Sequence, residues 1–381
     1  MKYVIIGNST AAVGAIEGIR QIDGKGEIIV ISSEPHHTYS RPLISYLLLG
    51  KTTEEKMKYR GDDFYTKNNV KFINAMATEI KGKEVVLSGG ERIAFDKLLV
   101  ATGSSPVVPP FEVKGAKEKF TFASLDDAKK LDKVLDKNKR VLIVGAGLIG
   151  LKCAEGILKR VAHITVVDLA PRILSSILDE GGAKLVQNHL EAQGIEFKLG
   201  TGFDKDADFD ILVVAVGVRP NTDLLKDIAK IERGIVVNVK SETSAPDIYS
   251  AGDCTQSPQI LPNAYMQGEC AGVNMAGGEK VFDKSIPMNA IGFFGLHIIT
   301  AGSYVGDVYS DDDVQSGNYK RLFYSDNKLN GYILIGNVDK AGIYTSLIRE
   351  QTALDSIDFA LVCEKPGLMA FKREVRKKKL G

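Results

Sequence analysis

One pattern is written twice along this chain: an apolar strand ending in glycine, a small-residue turn that opens a helix, and a second apolar strand ending in an acid. The first copy reads Tyr3-Val4-Ile5-Ile6-Gly7, then a helical stretch from about Asn8 to Ile22, then Ile28-Ile29-Val30-Ile31 running on to Glu34. The second reads Val141-Leu142-Ile143-Val144, the turn Gly145-Ala146-Gly147-Leu148-Ile149-Gly150, a helix to about Lys159, and Ile164-Thr165-Val166-Val167 ending at Asp168. Each copy closes on another apolar run and a glycine, Leu98 to Gly103 and Ile211 to Gly217, with Pro106 and Pro220 soon after. Strands that are apolar throughout, rather than alternating, are buried on both faces, as in a parallel sheet covered by helices. Two such units make the chain an α/β protein with two parallel sheets.

A Gly-x-Gly-x-x-Gly alone says little. Set after a strand, opening a helix and followed by an acid about twenty residues on, it is the signature of a dinucleotide site. Gly145 allows the tight turn, Gly147 lets the backbone approach a pyrophosphate, and Gly150 lets helix and strand pack closely. Leu148 and Ile149 begin the helix, whose free N–H groups and dipole favour the anion. Asp168 stands where a ribose 2′-OH binds and repels a 2′-phosphate, which predicts NADH over NADPH; Arg172, four residues on, softens that preference. In the first copy Ser9 and Ala12 replace two of the glycines, so close approach survives with less room. That copy is the longer, and most of its surplus lies between Glu34 and Gly103, where a larger cofactor needs extra walls. The surplus includes His37-Thr38-Tyr39-Ser40-Arg41-Pro42 and then an apolar run, Leu43 to Leu49, of helical character.

Composition narrows the class. A chain of 381 residues with 44% hydrophobic and 25% charged residues is globular, with two or three domains. A net charge of +1 gives no case for a nucleic-acid partner. The four cysteines, Cys153, Cys254, Cys270 and Cys363, form no Cys-x-x-Cys pair, which argues against a disulfide framework or a zinc site. His36, His37 and His297 have no metal-ligand spacing, so no metal is expected. The first apolar run is cut at Gly7, and nothing approaches the ~18 apolar residues of a membrane span. The expectation is a soluble cytoplasmic protein without a membrane segment.

The order strand-Gly7-x-Ser9, Glu34, Ser40-Arg41-Pro42, Ala101-Thr102-Gly103, Gly145 to Gly150 and Ile248-Tyr249-Ser250-Ala251-Gly252-Asp253 resembles the pyridine nucleotide-disulfide oxidoreductase family in its broad sense. The resemblance runs closest to its NADH:rubredoxin oxidoreductases and to the flavin-bearing N-terminal part of NADH-nitrite reductases. It implies two Rossmann-like dinucleotide-binding domains, glutathione-reductase-like, and a smaller α+β C-terminal domain. The FAD-binding domain would comprise 1–110 and 237–283, the NADH-binding domain 111–236, and the C-terminal domain 284–381. FAD would meet Gly7, Ser9, Thr10 and Ala11 at the first turn, with Glu34 on the adenosine ribose and Arg41-Pro42 along the pyrophosphate and flavin. Ala77, Thr102-Gly103, Gly252-Asp253 (on a ribityl hydroxyl) and Asn263-Ala264 (at the pyrimidine edge) complete that set. NADH would meet Gly145, Gly147, Leu148, Ile149, Gly150, Asp168 and Gly217. Phe294 to Gly302 resembles the third domain of the subgroup. Further on, strands Lys320–Tyr324 and Tyr332–Gly336 flank a predicted hairpin turn, Asn327-Lys328 to Asn330-Gly331, ahead of a helix over Tyr344–Gln351.

Disulfide reductases of the family carry a cysteine just after the first acid, and between Glu34 and Gly61 this chain has none. Thiol chemistry of that kind lacks its nucleophile, and Cys254 reads as a small buried residue. The resemblance then implies electron flow from NADH through FAD to an external acceptor, a small acidic protein such as rubredoxin, and it admits a homodimer. An NADH oxidase reducing oxygen, or an NADH-reducible flavoprotein with a binding or signalling role, stays open beside it. Six of the eight residues 372–379 are Lys or Arg, either a solvated end or a patch that steers an acidic acceptor. The place two residues after Gly150, commonly a glutamate in the family, holds Lys152, and the place of its usual lysine partner holds Tyr46. Lys152 is then a solvated helix charge, or a catalytic cation that favours reduced flavin.

Overall fold

The computed structural model describes residues 1–110, 115–116, 119–202, 208–313 and 316–371. Its first sheet is fully parallel, in the order Ile248–Ser250, Lys97–Val100, Lys2–Ile6, Glu27–Ser32, Val70–Asn74. The last of these in sequence, Ile248–Ser250, returns to pair with Lys97–Val100 after the whole second sheet has been built. Helix Thr10–Ile22 lies across this sheet against helix Leu261–Met275. Glycines set their separation: a Cβ at Gly14 would fall 2.2 Å from the Tyr265 carbonyl oxygen, and one at Gly268 2.0 Å from that of Ala11. The two backbones touch, which is why both helices carry glycine at four-residue spacing.

The second sheet is also parallel, in the order Ile195–Leu199, His163–Asp168, Arg140–Val144, Ile211–Val214, Lys119–Phe120. Helices Leu148–Ile157, Leu125–Asp132 and Glu180–Glu191 flank it. Ser124 and Asp127 form a reciprocal capping box on the second of these, and Asp179 caps the third. Short strands Ser104–Pro106 and Val218–Pro220, just past the two closing glycines, pair antiparallel and tie the sheets together. The surplus of the first copy forms a short helix, Ile44–Leu48, and a three-stranded antiparallel sheet, Ala77–Lys81, Glu84–Leu87 and Arg92–Ala94.

The C-terminal part is a five-stranded antiparallel sheet, in the order Met288–Phe293, Leu296–Gly302, Lys328–Ile335, Asn318–Ser325, Asp307–Asp313. Its central strand alternates between two cores. Tyr332 and Leu334 pack with Tyr344 and Leu347 of helix Ala341–Arg349, while Ile333 and Ile335 join the core of the second sheet. The outer strand Asp307–Asp313 is mostly exposed and rich in aspartate, a charge pattern that blocks edge-to-edge pairing.

Two sequence expectations shift here. The hairpin turn is Asp326-Asn327, both left-handed (φ 49° and 61°), whereas Asn330 and Gly331 lie within strand Lys328–Ile335. Asp and Asn tolerate that conformation, so the turn needs no glycine. Gly331 is required instead by close approach, since a Cβ there would lie 2.3 Å from the Ser303 carbonyl oxygen. The helix placed at Tyr344–Gln351 runs Ala341–Arg349, entered from left-handed Lys340, and Gly342 in its first turn hides its start from a propensity reading. Among the described residues no helix is long and apolar enough to cross a membrane.

Candidate functional site

The two glycine turns are built alike. Gly7 (φ 113°) and Gly145 (φ 116°) take backbone that side-chain-bearing residues avoid. A Cβ on either would fall 2.1 Å or 2.2 Å from a carbonyl oxygen, of Ala101 or Ala215, at the end of the closing strand. Helices Thr10–Ile22 and Leu148–Ile157 follow, with Ser9 and Gly147 at their N-caps and no side-chain cap hydrogen bond on either. Their first-turn N–H groups are left for a ligand. At Gly147, Gly103 and Gly217 a Cβ would meet no atom within 4 Å, so these glycines open onto space.

That space is one cleft of about 2310 Å³ running between the sheets. Gly7, Ser9, Thr10, Ala11, Glu34, Arg41, Pro42, Ala77, Thr102, Gly103, Gly252, Asp253 and Ala264 line its first half, and Gly145, Gly147, Leu148, Ile149, Asp168 and Gly217 its second. Lys152 lines it as well. Gly150, expected at the cofactor, does not. It is buried, and a Cβ there would lie 2.0 Å from the Gly145 carbonyl oxygen, so its missing side chain lets helix and turn pack closely. The surplus of the first copy does form walls, through Ser45, Tyr46 and Ala75 to Ile80.

The two acids are held differently. The Asp168 carboxylate accepts from the Ala146 and Ala170 N–H groups at 2.7 and 2.8 Å, fixing it against the glycine turn. Glu34 accepts from the Arg41 guanidinium at 2.5 Å and the Tyr39 hydroxyl at 2.7 Å. Arg41 also donates to the Ala123 carbonyl at 2.9 Å, and the Tyr39 hydroxyl accepts from the Leu125 N–H at 2.9 Å. Arg172 is turned away from Asp168, toward the carbonyls of Ser175 and Leu178 at 3.3 and 3.5 Å.

Asp253 is a carboxylate without a hydrogen-bonding partner among the described residues, although it faces the cleft. Burial raises its pKa above the ordinary carboxylate range, and the Arg41 charge opposes that only in part. Neighbouring Cys254 is fully buried, its thiol directed at the Val100 and Ala251 carbonyls and raised in pKa by burial. Of Asn263-Ala264, Ala264 lines the cleft, while the Asn263 side chain donates to the Pro258 carbonyl and the Ser285 hydroxyl.

Several wall residues escape a motif reading. Asn221 donates to the Thr102 carbonyl at 2.9 Å and accepts from Ser105 at 2.8 Å, locking the second closing motif onto the first. Its position, next to the proline that mirrors Pro106, was the available signal. Leu169, 80% exposed, and Val216 offer apolar wall beside the second turn. Ala290 to Gly292 reach the cleft from the C-terminal sheet. Behind the wall, Glu155, one turn beyond Lys152, is buried and salt-bridged to it.

These features fit two dinucleotides. Two helix N-termini without side-chain caps open onto the cleft, glycines beside them leave room for close approach, and the half-buried Asp253 carboxylate has no hydrogen-bonding partner among the described residues.

Comparison with known proteins agrees. Residues 1–268 match the family model described as pyridine nucleotide-disulphide oxidoreductase, and residues 287–352 match the rubredoxin NAD+ reductase C-terminal domain. The chain is 31% identical to the NADH-dependent phenylglyoxylate dehydrogenase subunit epsilon of Aromatoleum evansii, over 93% of this chain and 92% of that one. It is 29% identical to the assimilatory nitrate reductase electron transfer subunit of Bacillus subtilis, over 92% of this chain but only 49% of that longer protein. The crystal structure of NADH:rubredoxin oxidoreductase from Clostridium acetobutylicum superposes with a TM-score of 0.79 at 27% identity, covering 93% of this chain and 96% of that one. The chain therefore belongs to the pyridine nucleotide-disulphide oxidoreductase family, as an oxidoreductase that binds FAD and uses NADH.

Proposed function

We propose that this protein passes electrons from NADH through FAD to a small acidic electron-acceptor protein such as rubredoxin, with no protein thiol between. The observation that carries the reading is the single cleft into which both glycine turns open. When bound, the flavin would supply the redox chemistry, accepting a hydride from NADH with release of NAD+ and passing the electrons on. The protein's part is to bind, orient and exclude water. The residues named for each half would do so, with Asp253 receiving a ribityl hydroxyl and Asp168 the ribose of NADH. All four cysteines are buried and none lines the cleft, which supports direct transfer. The orientation of Arg172, toward the Ser175 and Leu178 carbonyls, supports NADH over NADPH, because this cation is not placed beside Asp168 to receive a 2′-phosphate.

The C-terminal domain match and the relative named for rubredoxin support the acceptor. The basic residues 372–379 lie outside the described residues, and their role in steering an acidic partner rests on charge alone. The test is anaerobic turnover with NADH. Rubredoxin should be reduced rapidly, and truncation after Phe371 should slow that reduction at low salt while a small neutral dye is unaffected. Indifference to rubredoxin, with fast oxygen-dependent oxidation of NADH, would make oxygen the acceptor instead.

A further inference from the structure

Lys152 and Glu155 form a salt bridge on helix Leu148–Ile157, with side chains only 17% and 4% exposed. Both ends are anchored in the C-terminal sheet. The Lys152 ammonium also donates to the Gly292 carbonyl at 3.1 Å, and Glu155 accepts from the Phe294 N–H at 2.8 Å. His189, from helix Glu180–Glu191, meets the Phe293 carbonyl between them at 3.0 Å. Three consecutive residues at the hairpin tip are thus gripped by the NADH-binding unit. On its other side the ammonium lies over the Tyr46 ring, 4.5 Å from its centroid, on the helix contributed by the FAD-binding unit. Three parts of the molecule converge on one lysine.

Stability alone does not account for a charged pair here. Desolvating two ions costs about what their attraction returns, so a well-packed apolar pair would serve a junction equally well. The pair is also oriented. Lys152, Tyr46 and Gly292 line the cleft, whereas Glu155 does not. The positive end therefore faces the cleft, at the place where Ser45-Tyr46 of one half meets Leu148-Ile149 of the other.

We propose that the Lys152–Glu155 pair is an electrostatic positioning device. It holds one fixed positive charge on the cleft wall and so makes the bound flavin easier to reduce. Hydride transfer from NADH moves two electrons and one proton, leaving NAD+ and one added negative charge on the flavin. A cation fixed in a wall with little water stabilises that added charge without reorganising. The carboxylate behind it opposes the effect less, because its charge lies farther from the cleft. Glu155 and the Gly292 carbonyl keep the ammonium from swinging out to solvent. The proposal rests on FAD occupying this cleft.

The test is the midpoint potential of the bound flavin, measured anaerobically by dye equilibration with FAD content read from absorbance. Lys152→Met, which leaves Glu155 uncompensated, should lower the reduction constant at least tenfold. Glu155→Gln, which leaves Lys152 uncompensated, should raise it at least tenfold. Tenfold is about 30 mV for a two-electron couple. The double variant should fall between the singles, and Lys152→Arg should stay near the parent. A merely structural role predicts lower melting temperatures for both singles with no opposed shift in potential. Should either single fail to fold, the double variant retains no buried charge, and its potential should lie below that of both the parent and Lys152→Arg. Equal potentials in those three would overturn the proposal while FAD binding stands. Folded parent protein that holds no FAD would overturn the cofactor assignment and the proposal together.

Discussion

At the end of its first strand the N-terminal unit turns at Gly7 and the second unit at Gly145, with φ of 113° and 116°. In both, the glycine hydrogen sits against the carbonyl of the strand that closes the sheet, Ala101 or Ala215. Beyond the turn the units diverge. Asp168 is held by two backbone N–H groups, so its direction is set before any ligand arrives. Glu34 is held by side chains, Arg41 and Tyr39, and through them reaches Ala123 and Leu125 at the entrance to the second unit. A ligand that comes and goes is served by a site that need not reorganise. A resident cofactor can share its binding network with the contact between domains. One glycine-turn motif thus carries two acids anchored differently, one by backbone N–H groups and one by side chains that reach the neighbouring unit.

The largest expected effect tests the shared part. Gly7→Ala forces a methyl into the Ala101 carbonyl at a strained φ, and should destabilise the protein by about 3 kcal/mol or more with loss of flavin. Gly147→Ala meets open space, so it should keep the fold and the FAD while raising the KM for NADH about tenfold. Thermal melts and flavin content separate the two. Equal destabilisation by both would erase the distinction between glycines that pack and glycines that face a ligand.

Next is the pair of acids. Asp168→Ala removes a charged hydrogen-bond acceptor, worth about 1.5–3 kcal/mol, so kcat/KM for NADH should fall roughly ten- to a hundredfold. The value for NADPH should fall far less, and FAD should stay bound. Glu34→Ala should instead weaken FAD retention and leave the NADH preference alone. Steady-state kinetics with both nucleotides checks this, and loss of flavin from Asp168→Ala would reverse the assignment of the halves.

The smallest effect concerns Asp253, whose pKa burial raises. A carboxyl with a folded pKa above its unfolded value contributes fully to stability below the unfolded pKa of about 3.9, and that contribution is lost as pH rises through the folded value. Cofactor-free protein should therefore gain stability at pH 7 from Asp253→Asn, and none at pH 3. FAD affinity should drop severalfold in the same variant, since an amide accepts a hydroxyl proton less strongly than a carboxylate. Denaturant melts of apoprotein at the two pH values measure the first effect. A loss of stability at pH 7 would mean that the carboxylate already has a partner.

Much of the cleft is legible along the chain because each half is local: strand, glycine, helix start and acid lie within one supersecondary unit. The motif already gave Gly150 a packing role and Gly147 a ligand-facing one, and the space around each glycine follows that division. The C-terminal hairpin was misregistered because Asp326-Asn327 makes a left-handed turn without the glycine that Asn330-Gly331 displays. Glu155 stands three residues from Lys152, a spacing any helix reading contains, but its burial depends on Phe294 from another domain.

The sequence by itself determined that there are two dinucleotide turns, which acid belongs to each, and which copy has the larger insertion. Those are properties of short segments, whose backbone geometry their own residues dictate. Only the tertiary structure decided that Tyr46, Lys152 and Gly292 would share one wall, and that the lysine would be restrained by a buried carboxylate. Those residues come from three parts of the chain with no common local pattern. Their meeting depends on how two sheets and a third domain pack, because charge burial and pairing are set by neighbours in space rather than in sequence.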